Sequence, residues 1–95
     1  MRFMIIVKAT AVSEAGVMPA DDSVMNAMET YHEELAKAGV LLDANGLRPT
    51  SKSWRIRYAG GRRTVIDGPF AETKELIAGY TLIQVRSREE AMEWA

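Results

Sequence analysis

The opening segment Arg2-Phe3-Met4-Ile5-Ile6-Val7-Lys8 is apolar on both sides of any strand it forms, and this limits the folds open to the chain. Successive side chains of a strand point to opposite faces. Phe3, Ile5 and Val7 therefore share one face, and Met4 and Ile6 share the other. Tyr80-Thr81-Leu82-Ile83-Gln84-Val85 repeats the pattern, with Leu82 opposing Ile83 and Val85. Strands of this kind sit centrally in a sheet whose two faces are both covered. A chain of 95 residues makes a single domain, here taken as 1–95, with a modest core.

Between these strands, a polar and small-residue loop is expected from Ala9 to Ala20. A helix then starts at an Asp21-Asp22 cap. Met25, Met28, Tyr31 or His32, and Leu35 recur at helical spacing; Lys37 lies in the last turn and Gly39 terminates it. Val40-Leu41-Leu42 opens a second strand, ended or bulged near Asn45-Gly46 and stopped by Pro49. Trp54-Arg55-Ile56-Arg57-Tyr58 alternates, Gly60-Gly61 makes a two-residue turn, and Thr64-Val65-Ile66 returns. After Tyr80–Val85, Ser87-Arg88-Glu89-Glu90 reads as a capping box opening a helix through Ala91 and Trp94. That helix stops on its apolar face after about two turns. The expectation is a chain truncated in this helix, with its remainder and a last strand beyond.

The order β-α-β, β-hairpin, β-α on a mostly antiparallel sheet indicates an α+β fold of the ferredoxin-like split β-α-β type, helices on one face. The second apolar face would leave several hundred Å² in water, which monomers rarely tolerate. A homodimer packed sheet to sheet is the expected remedy.

Composition narrows the chemistry. With 12 basic and 13 acidic residues and a net charge of −1, no field draws nucleic acid or an anionic membrane. No apolar run reaches the ~20 residues of a membrane span, and no signal peptide is visible, so a cytoplasmic setting is expected. Without cysteine, thiolate metal sites and thiol nucleophiles are excluded. With one histidine, so are sites built from two or three. No metal and no cofactor are expected.

Asp67-Gly68-Pro69-Phe70-Ala71-Glu72-Thr73-Lys74-Glu75, followed by Gly79-Tyr80, resembles the YCII-related (YciI-like) family in its DGPF-motif branch. Ala38-Gly39-Val40-Leu41-Leu42 with Gly46-Leu47, and Glu89-Glu90-Ala91-Met92-Glu93-Trp94-Ala95, are similar to it too. The resemblance implies a dimeric α+β barrel with a cavity between sheet and helices. In some YciI-like proteins a His–Asp pair is the proposed active site, and a dehydrochlorinase is known in the wider family. DGPF proteins often occur beside extracytoplasmic-function sigma factors. Here Glu29-Thr30-Tyr31-His32-Glu33-Glu34 departs from the family's histidine motif, so the resemblance assigns no role to His32.

Two sets of residues could carry chemistry. The first is the motif itself, with Asp67 as acceptor or general base, Gly68, Pro69 and Phe70 lining a pocket mouth, and Lys74 and Arg63 contacting an anion. Counting from Gly60-Gly61, Asp67 falls opposite Trp54 on the face of Ile56 and Val65, where desolvation would raise a carboxylate pKa. The favoured alternative is structural: Asp67 in an Asx turn, Gly68 at an unusual dihedral, Phe70 plugging the core. The second set is His32 with Asp43 as an orienting carboxylate, against a surface histidine and a turn aspartate. Arg55 and Arg57, with Arg62 and Arg63 past the turn, could bind a carboxylate or phosphate or could simply be solvated. Trp54, Tyr58, Met25 and Met28 read as packing.

The preferred function is therefore a small-molecule-binding or regulatory domain taking a small acidic or aromatic ligand. A cofactor-free lyase, dehydrohalogenase or monooxygenase-like enzyme using an Asp or His is the first alternative. A sigma-factor partner is the second.

Overall fold

The computed structural model describes residues 1–16, 23–70 and 75–95. Along the chain run β1 (Arg2–Lys8), α1 (Ala11–Glu14), α2 (Ser23–Lys37) and β2 (Leu41–Gly46), then a 3₁₀ turn at Thr50–Lys52. After it come β3 (Trp54–Ala59), β4 (Arg62–Asp67), β5 (Ile77–Gln84) and α3 (Arg88–Trp94). The architecture is α+β. β5 lies between β1 and β2 and runs antiparallel to both. The two strands flanking α2 are thus parallel to each other and split by the insertion of β5, the ferredoxin-like arrangement. β3 and β4 form a separate two-stranded ribbon.

Register assigns the two faces of the main sheet. Phe3 pairs with Ile83, Ile5 with Thr81 and Val7 with Gly79. These side chains face the helices, where Leu35, Val40, Ile83, Val85 and Ala91 form the buried core with Phe3, Ile5, Tyr31, Leu41 and Trp94 packed on it. Met4 pairs with Leu82 and Ile6 with Tyr80 on the other face. Among the described residues no helix covers that face, and Met4 and Ile6 are about half exposed, at 54% and 50%. The two-sided apolar pattern of β1 thus meets a sheet covered on one side.

Several local expectations change. The loop after β1 contains α1, a single turn held by a capping box: the Ser13 N–H donates to Thr10 Oγ1 and the Thr10 N–H to Ser13 Oγ. The Asp21-Asp22 cap lies outside the described residues. Gly39 does terminate α2 in the left-handed region, at φ +74°. β2 ends at Gly46, as expected, but its bulge comes earlier, between Leu41 and Asp43. A bulge there leaves Leu42 unpaired and returns Asp43 and Asn45 to the open face. At α3, Ser87 accepts from the Glu90 N–H as expected, but the Glu90 carboxylate reaches the Arg86 N–H instead of that of the cap residue. Among the described residues no helix is long and apolar enough to cross a membrane.

One contact ties the two longer helices together. The Tyr31 hydroxyl donates to the Trp94 carbonyl across 2.5 Å. Burial raises the Tyr31 phenol above its ordinary 10.0. Above that pH the unfolded chain loses a proton that the folded chain keeps, so the contribution, fully present below it, is lost as pH rises. Denaturation followed by circular dichroism should show stability falling from about pH 10 upward. Tyr31→Phe should flatten that fall; an unchanged alkaline slope would count against it.

Candidate functional site

A cleft lies between α2 and the helix-facing side of the sheet, with a volume of about 710 Å³. Its origin is a mismatch in side-chain size. Under α2 the strands carry Ala44, Gly46, Ala78 and Gly79, which leave space that Met25, Met28 and Val7 border without filling. Gly79 is needed for strand approach, since a Cβ there would come within 3.0 Å of the Asn45 carbonyl oxygen. The wall is mostly apolar, and Glu29, His32, Glu33 and Thr81 supply its polar side chains.

Helical spacing sorts the α2 residues. Met28, His32 and Ala36 form one row, and Met25, Glu29 and Glu33 the neighbouring row. In the first row Met28 and His32 are partly buried; every member of the second is exposed, which makes it the rim. At the inner end, His32 Nε2 lies 3.1 Å from Thr81 Oγ1. Thr81 is only 2% exposed in mid-strand, so its hydroxyl needs a partner, and the imidazole supplies one. His32 also tilts against the Tyr31 ring, with centroids 5.5 Å apart.

The proposed pairing of His32 with Asp43 is not formed. Asp43 pairs with Leu82 on the sheet's open face, where its carboxylate accepts from the Tyr80 hydroxyl at 2.9 Å and from the Asn45 amide. Tyr80 and Thr81 are consecutive in β5, so their side chains leave on opposite sides and carry the two candidates apart. Asp43 is a strand residue in a polar cluster, not a turn aspartate.

The Asp67 motif lies elsewhere. Asp67 does pair with Trp54, but on an exposed ribbon, and its carboxylate makes no hydrogen bond among the described residues. The burial that a general base there requires is absent from a single chain, and so is the Asx turn. Gly68 has no unusual dihedral; what it needs is room, because an added Cβ would overlap the Thr50 carbonyl. Its N–H donates to the Ser53 carbonyl at 2.9 Å. The Gly68-Pro69 peptide is cis. Phe70 is 5% exposed, its N–H bonded to Thr50 Oγ1 and its ring covered by the Arg55 guanidinium at 3.9 Å. Glu14 completes this knot by accepting from the Thr50 N–H and hydroxyl.

Phe70 is thus a plug, in a satellite of the main core. Lys74 lies outside the described residues. Arg63 pairs with Tyr58, beside a shallow depression of about 390 Å³ at the ribbon turn. Asp67 and Arg63 share a ribbon face but stand about 13 Å apart along one strand. The arginines also divide, Arg63 lying on the Tyr58 face and Arg55, Arg57 and Arg62 on the other. None of Arg63, Asp67, Gly68, Pro69 or Phe70 lines the large cleft.

A family model described as the YCII-related domain matches residues 1–95. The chain belongs to the YCII-related family. Among its relatives is the uncharacterized protein R00369 of Rhizobium meliloti (strain 1021), 35% identical over 85 residues. That match covers 90% of this chain and 68% of the relative. In this YCII-related chain the cleft residues that sequence patterns passed over are Ala44, Thr81, Glu29 and Glu33. Their one advance signal was a run of small residues, Ala44, Gly46 and Ala78-Gly79, inside strands whose neighbours are bulky.

Proposed function

We propose that this domain is a homodimeric small-molecule-binding module whose ligand occupies the cleft between α2 and the sheet. The supporting observation is an apolar recess of about 710 Å³ with one histidine–threonine pair at its inner end. Pockets that take small ligands have this size and this balance of apolar wall and few polar groups.

Turnover is a second reading, favoured by the placement of His32 on the cleft wall, with its imidazole as acid or base. Among the described residues no carboxylate orients that imidazole, and the one on β2 is committed to the other face.

2-Phenylethanol, a neutral aromatic probe, tests the binding reading. Titration should shift amide NMR signals of Met28, His32, Ala44 and Thr81 and leave those of the β3–β4 ribbon in place. Ala36→Phe, on the exposed flank of α2, should project into the cleft and abolish the shifts while preserving the circular dichroism spectrum. Shifts confined to the ribbon, or unaffected by Ala36→Phe, would remove the cleft from consideration.

A further inference from the structure

We propose that the ligand of this cleft is a cation with an apolar body, a primary amine on a small aryl or alkyl frame. The inference rests on the cleft being the binding site and concerns what it selects. It departs from the acidic ligand expected from the arginines and Lys74: none of the arginines lines the recess, and Lys74 lies outside the described residues.

The formally charged residues lining the cleft are Glu29 and Glu33, with no lysine or arginine among them. They stand one helical turn apart, about 6 Å, on the rim row, while Met28, Ala44 and Gly79 line the interior. Neither carboxylate is engaged in an ion pair or hydrogen bond among the described residues. Lys8, next along β1 from Val7, is occupied by Glu75 at 2.9 Å. A ligand whose apolar frame lies over Ala44 and Gly79 would bring its head group to this rim. A carboxylate there meets two like charges and, among the described residues lining the cleft, no cationic partner. An ammonium meets two acceptors and donates to both. The His32 ring nitrogen that faces inward is already paired with Thr81, so it offers an anion no uncommitted donor at that atom.

Three probes with similar frames separate the body from the charge: 2-phenylethanol, 2-phenylethylamine and 3-phenylpropanoate. They are titrated by NMR in low salt at pH 8, above the ordinary histidine range. The amine should bind roughly fivefold more tightly than the alcohol, and the acid more weakly by a similar factor, as Coulomb terms near a surface predict. Added salt should narrow both differences. Glu29→Gln with Glu33→Gln should bring all three within about twofold of one another, with an unchanged circular dichroism spectrum showing that the variant is folded.

An acid that binds as well as the amine overturns the charge selection but leaves the cleft as a binding site. An amine preference that survives in the double variant overturns it too, by placing the selectivity elsewhere. If not even the alcohol perturbs α2 and β5, the cleft itself fails as the site, and the charge preference falls with it.

Discussion

Ile6→Lys combined with Leu82→Lys should leave a folded chain that travels as a monomer of 10.5 kDa, whereas the unaltered chain should travel at about twice that mass. Both side chains lie on the sheet face that no helix covers, beside Met4. The case for a second copy there is one of area. A compact chain of this mass exposes roughly 5,400 Å², but this one exposes 7533 Å². Its radius of gyration is 16.3 Å, against about 12 Å for a compact domain of this length.

The excess of about 2,000 Å² per chain is more than twice what one partner contributes to a standard interface, and falls in the range of obligate dimers. Much of the surface responsible is apolar. Besides the open sheet face it includes the ribbon, where Trp54, Tyr58 and Val65 are 63%, 75% and 55% exposed on one side. Two buried lysines per copy should weaken association by a factor on the order of 1,000 or more, the scale of losing central interface anchors. Light scattering coupled to size exclusion reads the result. An unaltered chain that remains monomeric at NMR concentrations, without aggregating, would refute the dimer.

Gly68→Ala should cost about 3 kcal/mol, a large loss for a single methyl group. The methyl group would coincide with the Thr50 carbonyl, so either the 3₁₀ turn or the strand end must move. Movement breaks the Gly68-to-Ser53 and Phe70-to-Thr50 hydrogen bonds together and lifts Phe70 from its seat. For a domain this small, a loss of that size lowers the melting temperature by about 15 °C. Gly46→Ala is the control, because a Cβ there meets nothing within 4 Å. Calorimetry that finds the two variants equally stable would show that the Asp67–Phe70 segment is not held by this close approach. Such a result would reopen a ligand role for it.

How legible each part was follows from the range of the interactions involved. β1, the Gly60-Gly61 hairpin with Trp54 opposite Asp67, the Gly39 terminator and the Ser87 cap rest on neighbours a few residues apart, and they were readable. The bulge between Leu41 and Asp43 was not, because it answers to β5, some forty positions along the chain. For the same reason His32 and Asp43 looked like partners: they sit on the consecutive elements α2 and β2, and the twofold alternation of β5 separates them. Gly68 was correctly singled out for the wrong cause. A glycine reserved for a dihedral and a glycine reserved for clearance are the same letter, and the oxygen that distinguishes them belongs to Thr50.

From the amino-acid order alone come the α+β class, the two apolar faces of β1 and β5, the lack of thiol chemistry, and the nonapeptide that points to the YCII-related family. All are properties of local spacing or of residue inventory, which survive any arrangement in space. The tertiary structure alone decided that the Asp67 motif is a knot around Thr50 and that the recess opens above Ala44 and Gly79. It also decided that Glu29 and Glu33 rim that recess while His32 turns inward to Thr81. A cavity is the space that packing leaves between distant segments, and its lining exists only once those segments have met.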